Sequence, residues 1–384
     1  MFQDSVDPAM LRHHGDVEAR PGMLDFAVNV RGVAPPDWLR ARLAGRLDDL
    51  GRYPSAEDEA AARAAVAARH GRAPEEVLLL AGAAEGFAML PRLAPRRAAV
   101  VHPSFTEPEL ALREAGVPVT RVILDRPYTL DPALVPEDAD LVVLGNPTNP
   151  TSVLHPAAAI EALRRPGRLV VVDEAFVDAI ADPGVHPAPA DHAAPASADG
   201  APTAFVDRAA PASVTGPTPL AEPESLAGLS APDVLVLRSL TKTWALAGLR
   251  CGYALGAPEV LARLSQGRPH WPLGTLQLEA IIATAAPAAV AETRREADRI
   301  AVERAAMIER LTALGVDVHT PATGPFLLLA VRDGALVRKQ LADRGIAVRR
   351  ADTFPGLGPD HLRVAVRGTA EVDRLIEGLR AAMW

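Results

Sequence analysis

The sequence predicts an α/β fold: a large domain with a mostly parallel seven-stranded sheet, and a small α+β domain at the C-terminal end. Three observations predict it. Between residues 55 and 256, short apolar runs alternate with helical patterns, the order that builds parallel sheets. Several of those runs are continuously apolar, as strands covered on both faces are. From residue 293 onward one long charged helix precedes a strand, helix, strand, helix succession.

In chain order, residues 1–50 form an N-terminal segment expected to pack with the small domain. "SAEDEAAARAAVAARHG" (55–71) reads as a helix with a Ser N-cap and a Gly stop. The strand-like runs are "EEVLLLAG" (75–82), "RAAVVHP" (97–103), "VPVTRVIL" (117–124), "ADLVVLGNP" (139–147), "GRLVVVDEA" (167–175), "DVLVLRSL" (233–240) and "RCGYALG" (250–256). They place the large domain at 51–285. Residues 182–223 interrupt it with an Ala- and Pro-rich stretch that has too few large apolar side chains to offset its ordering entropy, and they read as a flexible surface insertion. "TRREADRIAVERAAMIERLTALG" (293–315) opens the helix-rich start of the small domain, assigned to 286–384. "GPFLLLAVR", "GALVRKQLADRG", "HLRVAVRG" and "AEVDRLIEGLRAAMW" complete it.

Bulk properties narrow the function. The net charge of −8 argues against nucleic-acid binding through bulk charge. The single cysteine, Cys251, excludes an intrachain disulfide framework, which fits a cytoplasmic protein. The first residues have no apolar signal region, and no apolar run reaches the ~20 residues that span a bilayer. His186 and His192 have no metal-ligand spacing, and no metal is expected. Cys251 reads as a small packing residue, and Trp244 and Trp271 as core or dimer-interface residues.

In an open parallel sheet, ligands bind beyond the carboxyl ends of the strands. Gly82-Ala83-Ala84 follows the first run and opens a helix, either an ordinary turn or an anion cup of backbone N–H groups. Phe105 follows the second, as core or as a platform for a flat ring. Asn149 sits in "NPTNPTS", a rigid loop whose amide can donate to a ligand. Asp173 ends an apolar strand, and its carboxylate needs a cation or donors. Ser239, Thr241 and Arg250 suit a phosphate. Between them stands Lys242 in a chain with very few lysines, flanked by two threonines and a tryptophan. A desolvated lysine near another cation has a lowered pKa and a nucleophilic amine. Jointly these groups are what holds pyridoxal 5'-phosphate: a phosphate cup, a ring platform, an amide donor, an acid for the ring nitrogen and an imine-forming lysine.

On these motifs the chain resembles fold-type I, aspartate-aminotransferase-like enzymes that use pyridoxal phosphate, in their histidinol-phosphate aminotransferase branch. The resemblance implies that Lys242 binds the cofactor covalently and that Asp173 pairs with the ring nitrogen. It implies that Asn149 donates to the ring oxygen, that Phe105 stacks on the ring, and that Gly82, Ala83, Ala84, Ser239, Thr241 and Arg250 hold the phosphate. Tyr53, in "GRYPSAED", is implied to reach the cofactor phosphate of the partner subunit in a homodimer. Arg363, in "HLRVAVR", is implied to hold a substrate carboxylate. The chain departs from the family pattern at Ser152, where a glycine is usual, at Phe176, where a tyrosine is frequent, and in the long insertion.

"HHGDVEARPGMLDFAVNVRGVAPP" (13–36) is similar to the start of threonine-phosphate decarboxylases of cobalamin biosynthesis. That resemblance implies decarboxylation of L-threonine O-3-phosphate, with His14, Asn29, Arg349 and Arg363 around a small substrate with two anionic ends. Which of Arg349 and Arg350 faces the site stays open at this point. The alternative is an aminotransferase acting on histidinol phosphate or another amino compound, and a catalytically inert relative is the remote third reading.

Overall fold

The computed structural model describes residues 8–13, 15–182 and 222–383. Helix Ala56–His70 forms where its caps predict: Ser55 accepts from the Asp58 N–H, and Gly71 takes the left-handed φ of 65° that ends it.

After the short strand β1 (Leu24–Asp25), the expected seven strands form. They are β2 (Val77–Leu80), β3 (Ala98–His102), β4 (Val119–Ile123), β5 (Leu141–Gly145), β6 (Leu169–Asp173), β7 (Val234–Ser239) and β8 (Gly252–Leu255). Their order in one sheet is β2-β8-β7-β6-β5-β3-β4. All neighbours run parallel except β8, which is antiparallel to both β2 and β7. The continuous apolar runs split by period two onto the two faces. Val142, Leu144, Val170, Val172 and Val236 join one core, while Val143, Val171, Leu235 and Leu237 join the other.

Helix Pro287–Ala313 leads to β9 (Asp317–Val318), β10 (Phe326–Ala330), β11 (Ile346–Ala347), β12 (Arg349–Arg350) and β13 (His361–Ala365). A four-stranded sheet has the order β12-β13-β10-β9, and β1 pairs in parallel with β11. Phe26 is fully buried in the core of this part, whereas Leu39 of helix Asp37–Ala44 belongs to the core over the large sheet. The N-terminal segment therefore packs on both parts rather than on one.

The expected insertion lies mostly outside the described residues, apart from Asp182, Glu222 and Pro223. Glu222 corrects its boundary. It accepts from the fully buried Arg238 at 2.5 Å and from Arg69 at 2.8 Å, so it is part of the folded body. No helix among the described residues is long and apolar enough to cross a membrane.

Candidate active site

Three parallel strands and one loop bring the predicted groups to one place. β5, β6 and β7 lie side by side, with Gly145, Asp173 and Leu237 in register. Their carboxyl ends therefore open onto a common cavity of roughly 330 Å³. Asp173, Asn149, Ser239, Thr241, Lys242, Arg250, Ala83, Ala84 and Phe105 all line it, together with Asn29, Arg349 and Arg363 from outside the large sheet.

At its floor, Asp173 Oδ1 accepts the Ala175 N–H at 3.1 Å. Burial raises its carboxyl to about 6, against the opposing pull of that hydrogen bond and of the Lys242 charge. A cationic ring nitrogen beside it would draw the carboxyl back to the ionised form.

Beside Arg250, Gly82 has φ 82°, and a Cβ there would lie 2.9 Å from Arg250 Nη2. Glycine thus supplies the left-handed turn and the room for the guanidinium. The helix that follows begins at Ala83, and its first N–H groups point out of the helix. Arg250 stands at the exposed rim with φ 60°. The turn that returns it comes from Arg250 itself and from Ala245 at φ 51°, not from the flanking glycines. Gly252 serves a different need, since a Cβ there would meet the Arg238 carbonyl at 2.5 Å.

The other wall comes from the small sheet. Arg349 and Arg363 are direct cross-strand partners on β12 and β13, and both are buried. Arg349 donates to the carbonyls of His13 (2.6 Å) and Arg350 (2.9 Å) and to Thr353 Oγ1 (2.7 Å), and lies over the Phe354 ring. Arg363 donates to Asn149 Oδ1 at 2.8 Å and to the Ala27 carbonyl. Its pKa is pushed down, by burial first and then by Arg349. Among the described residues no carboxylate pairs with either. Arg350 settles the open choice: it turns away and pairs with Asp352 at 2.5 Å.

Three cavity-wall atoms are buried without a hydrogen-bond partner among the described residues: Thr241 Oγ1, Asn29 Oδ1 and Arg363 Nε. Buried polar atoms are rarely left unmet. Together with Gly82 beside Arg250 and the buried acid Asp173, they fit a phosphorylated, nitrogen-bearing ring and an anionic substrate.

Two predicted residues stand apart. Tyr53 is 74% exposed, stacks on Trp271 at 4.2 Å and does not line its own chain's cavity. His14 lies outside the described residues. Its neighbours His13 and Gly15 do line the cavity, and a Cβ on Gly15 would strike the Ala27 carbonyl at 2.4 Å. The sequence reading missed Thr353 and Phe354, which orient and flank Arg349, because nothing local marks them. The two single-residue departures are accommodated. Ser152 takes φ 65°, and its Oγ accepts the Gly324 N–H at 2.7 Å. Phe176 packs edge-on against Phe326 at 4.9 Å, which in turn lies under Arg363. Cys251 is fully buried and its thiol is pushed up to about 12, so it packs rather than reacts.

Comparison with known proteins adds four findings. The chain matches the family described as aminotransferase class I and II over residues 21–379. It is 52% identical to a histidinol-phosphate aminotransferase of Mycobacterium tuberculosis, over 95% of this chain and 89% of that protein. It is 27% identical to the threonine-phosphate decarboxylase of Salmonella typhimurium, over 93% and 90%. Among solved structures, the histidinol-phosphate aminotransferase of Sinorhizobium meliloti in complex with pyridoxal-5'-phosphate has the same fold, with a TM-score of 0.74 and 21% identity over 98% of this chain and 94% of that one.

Proposed function

We propose that this chain, which belongs to the class I and II aminotransferases and is a pyridoxal-phosphate enzyme, transfers the amino group of a phosphorylated amino compound of the histidinol-phosphate type. The observation that carries the substrate class is the buried pair Arg349 and Arg363, facing Lys242 and Asp173 across the cavity with no carboxylate partner among the described residues. The 52% relative supports amino transfer ahead of the decarboxylation first expected from the N-terminal motif. The decarboxylase stays as the second reading, favoured by the 27% relative and by two arginines that suit a substrate with two anionic ends.

When bound, the cofactor supplies an electrophilic carbon for amines and a ring that takes up the electron pair released at the substrate Cα. Lys242 is the amine that holds the cofactor covalently and then moves the proton at Cα. Asp173 keeps the ring nitrogen protonated. Asn149 has its carbonyl oxygen engaged by Arg363, which leaves its amide N–H groups to the ring oxygen. Ser239, Thr241, Arg250 and the N–H groups after Gly82 hold the phosphate. Phe105 packs on the ring. Arg349 and Arg363 bind the substrate's anionic groups. A cytoplasmic homodimer in which the partner subunit's Tyr53 reaches the cofactor phosphate belongs to the same reading, supported by the exposed Tyr53–Trp271 stack.

The test offers the purified holoprotein two substrates. Histidinol phosphate with 2-oxoglutarate should yield glutamate, and threonine phosphate should release no CO₂. CO₂ release without glutamate formation would establish the second reading instead. Borohydride reduction followed by peptide mapping checks the lysine. The chain's lysines are Lys242 and the exposed Lys339, and the cofactor should be found on Lys242.

A further inference from the structure

We infer that Arg31 is a positioning residue for Lys242, a strut that fixes the lysine's backbone relative to the strand carrying Arg363. Nothing in the sequence marks Arg31, and it does not line the main cavity.

Lys242 lies in the irregular loop between β7 and β8, outside any helix or strand ladder. A long side chain on such a loop is aimed only as well as its own backbone is held. The Lys242 carbonyl accepts the Arg31 N–H at 3.1 Å, a bond from a segment more than two hundred residues away. The Arg31 side chain then divides between two elements. Nε and Nη2 each lie 2.8 Å from Glu296 Oε1, and Nη2 lies 3.0 Å from Glu303 Oε2. Those glutamates are seven residues apart on helix Pro287–Ala313, hence two turns apart on one face. Nη1 donates to the Val366 carbonyl at 3.2 Å. Val366 is three residues beyond Arg363 and directly follows β13. One residue therefore ties the lysine's main chain to the long helix and to the substrate-arginine strand. The side chain is only 15% exposed, so solvent screens these bonds little.

The consequence is geometric. Arg363 holds the substrate and Lys242 handles the proton at Cα, so their separation sets how well the amine reaches that atom. Misplacement of a catalytic group by about 1 Å costs on the order of a hundredfold. Loss of the strut should therefore lower turnover and leave anion binding nearly intact.

This inference rests on Lys242 being the cofactor-bound amine, and the experiment separates the two ideas. Arg31→Gln holoprotein is compared with the parent by turnover and by the pH midpoint of the visible absorption band of the lysine-bound cofactor. Expected are a kcat lower by about 10- to 100-fold, a substrate KM changed less than about threefold, and a shifted band midpoint. Arg31→Lys, which keeps the charge opposite Glu296, should recover part of both. Glu303→Gln, a milder loosening of the same strut, should shift the midpoint in the same direction even if Arg31→Gln fails to fold. A lowered Tm with unchanged kcat and midpoint would overturn the proposal and make Arg31 a merely structural residue. Lys242→Ala protein that kept the band would instead overturn the reading of Lys242.

Discussion

Arg349→Gln should weaken binding of a phosphorylated substrate while Arg350→Gln should not, although the two are adjacent in the chain. Arg349 is buried and lines the cavity, with its guanidinium aimed by two carbonyls and Thr353 Oγ1. A hydrogen bond to a charged group contributes about 1.5–3 kcal/mol. At ~1.4 kcal/mol per factor of ten, its loss raises the dissociation constant by about 10- to 150-fold. Arg350 does not line the cavity and spends its charge on Asp352, a pair worth about 0–1 kcal/mol to stability, so its removal should leave substrate binding nearly unchanged. The assay is titration of each holoprotein with histidinol phosphate and with histidinol, followed by the cofactor absorbance. Arg349→Gln should lose affinity for the phosphorylated compound and keep it for the other. Equal losses for both compounds, or equal losses in both variants, would refute the assignment of Arg349 to the substrate's phosphate.

Two further outcomes follow from the buried charges and from the exposed aromatic stack. Glu174 is an acid whose carboxyl burial raises from 4.5 to about 7. Through that window the unfolded chain has released the proton that the folded chain keeps, so stability falls as pH rises. Glu174→Gln can still accept the Leu226 N–H and should flatten the fall of Tm between pH 4.5 and about 7, with the share of Asp173 remaining up to about 6. An unchanged slope would show that Glu174 does not titrate there. Separately, Tyr53→Phe and Lys242→Ala proteins, unfolded and refolded together, should recover activity that neither has alone, because a mixed dimer contains one cavity with an intact lysine and an intact partner tyrosine. No gain in mixtures shown by light scattering to be dimeric would remove Tyr53 from the partner's site.

The large sheet was legible because its strands are buried on both faces and so read as unbroken apolar runs, and because chemistry collects at their carboxyl ends. Asp173, Asn149, Ser239 and Lys242 could each be placed by counting from the end of a run. The small-sheet wall was legible only in part. Arg349 and Arg350 alternate across a strand, and period two alone does not say which face meets the cavity. The choice depends on pairing with β13, a long-range fact. Arg31 escaped notice for a related reason: its role is carried by a backbone N–H and by partners some 265 residues distant on another helix. The left-handed conformation at Ser152 also has no local signal, since the chain puts a serine where glycine would announce the turn and offsets the strain with bonds to Thr323 and Gly324.

Two sets of arginines among the described residues differ in how their charge is met. Arg69 and Arg238 are met by Asp178 and Glu222, so their charge is cancelled within the fold. Arg349 and Arg363 are instead aimed by carbonyls, a hydroxyl and an amide oxygen: those of His13, Arg350, Ala27, Thr353 and Asn149. Neutral acceptors fix the direction of a guanidinium without neutralising it. The cost is two buried like charges on neighbouring strands: the pKa of Arg363 is lowered by burial first and by Arg349 second. On the function proposed above, an incoming phosphate or carboxylate would relieve that repulsion as it binds, and the cavity would select for anionic substrates before any chemistry begins.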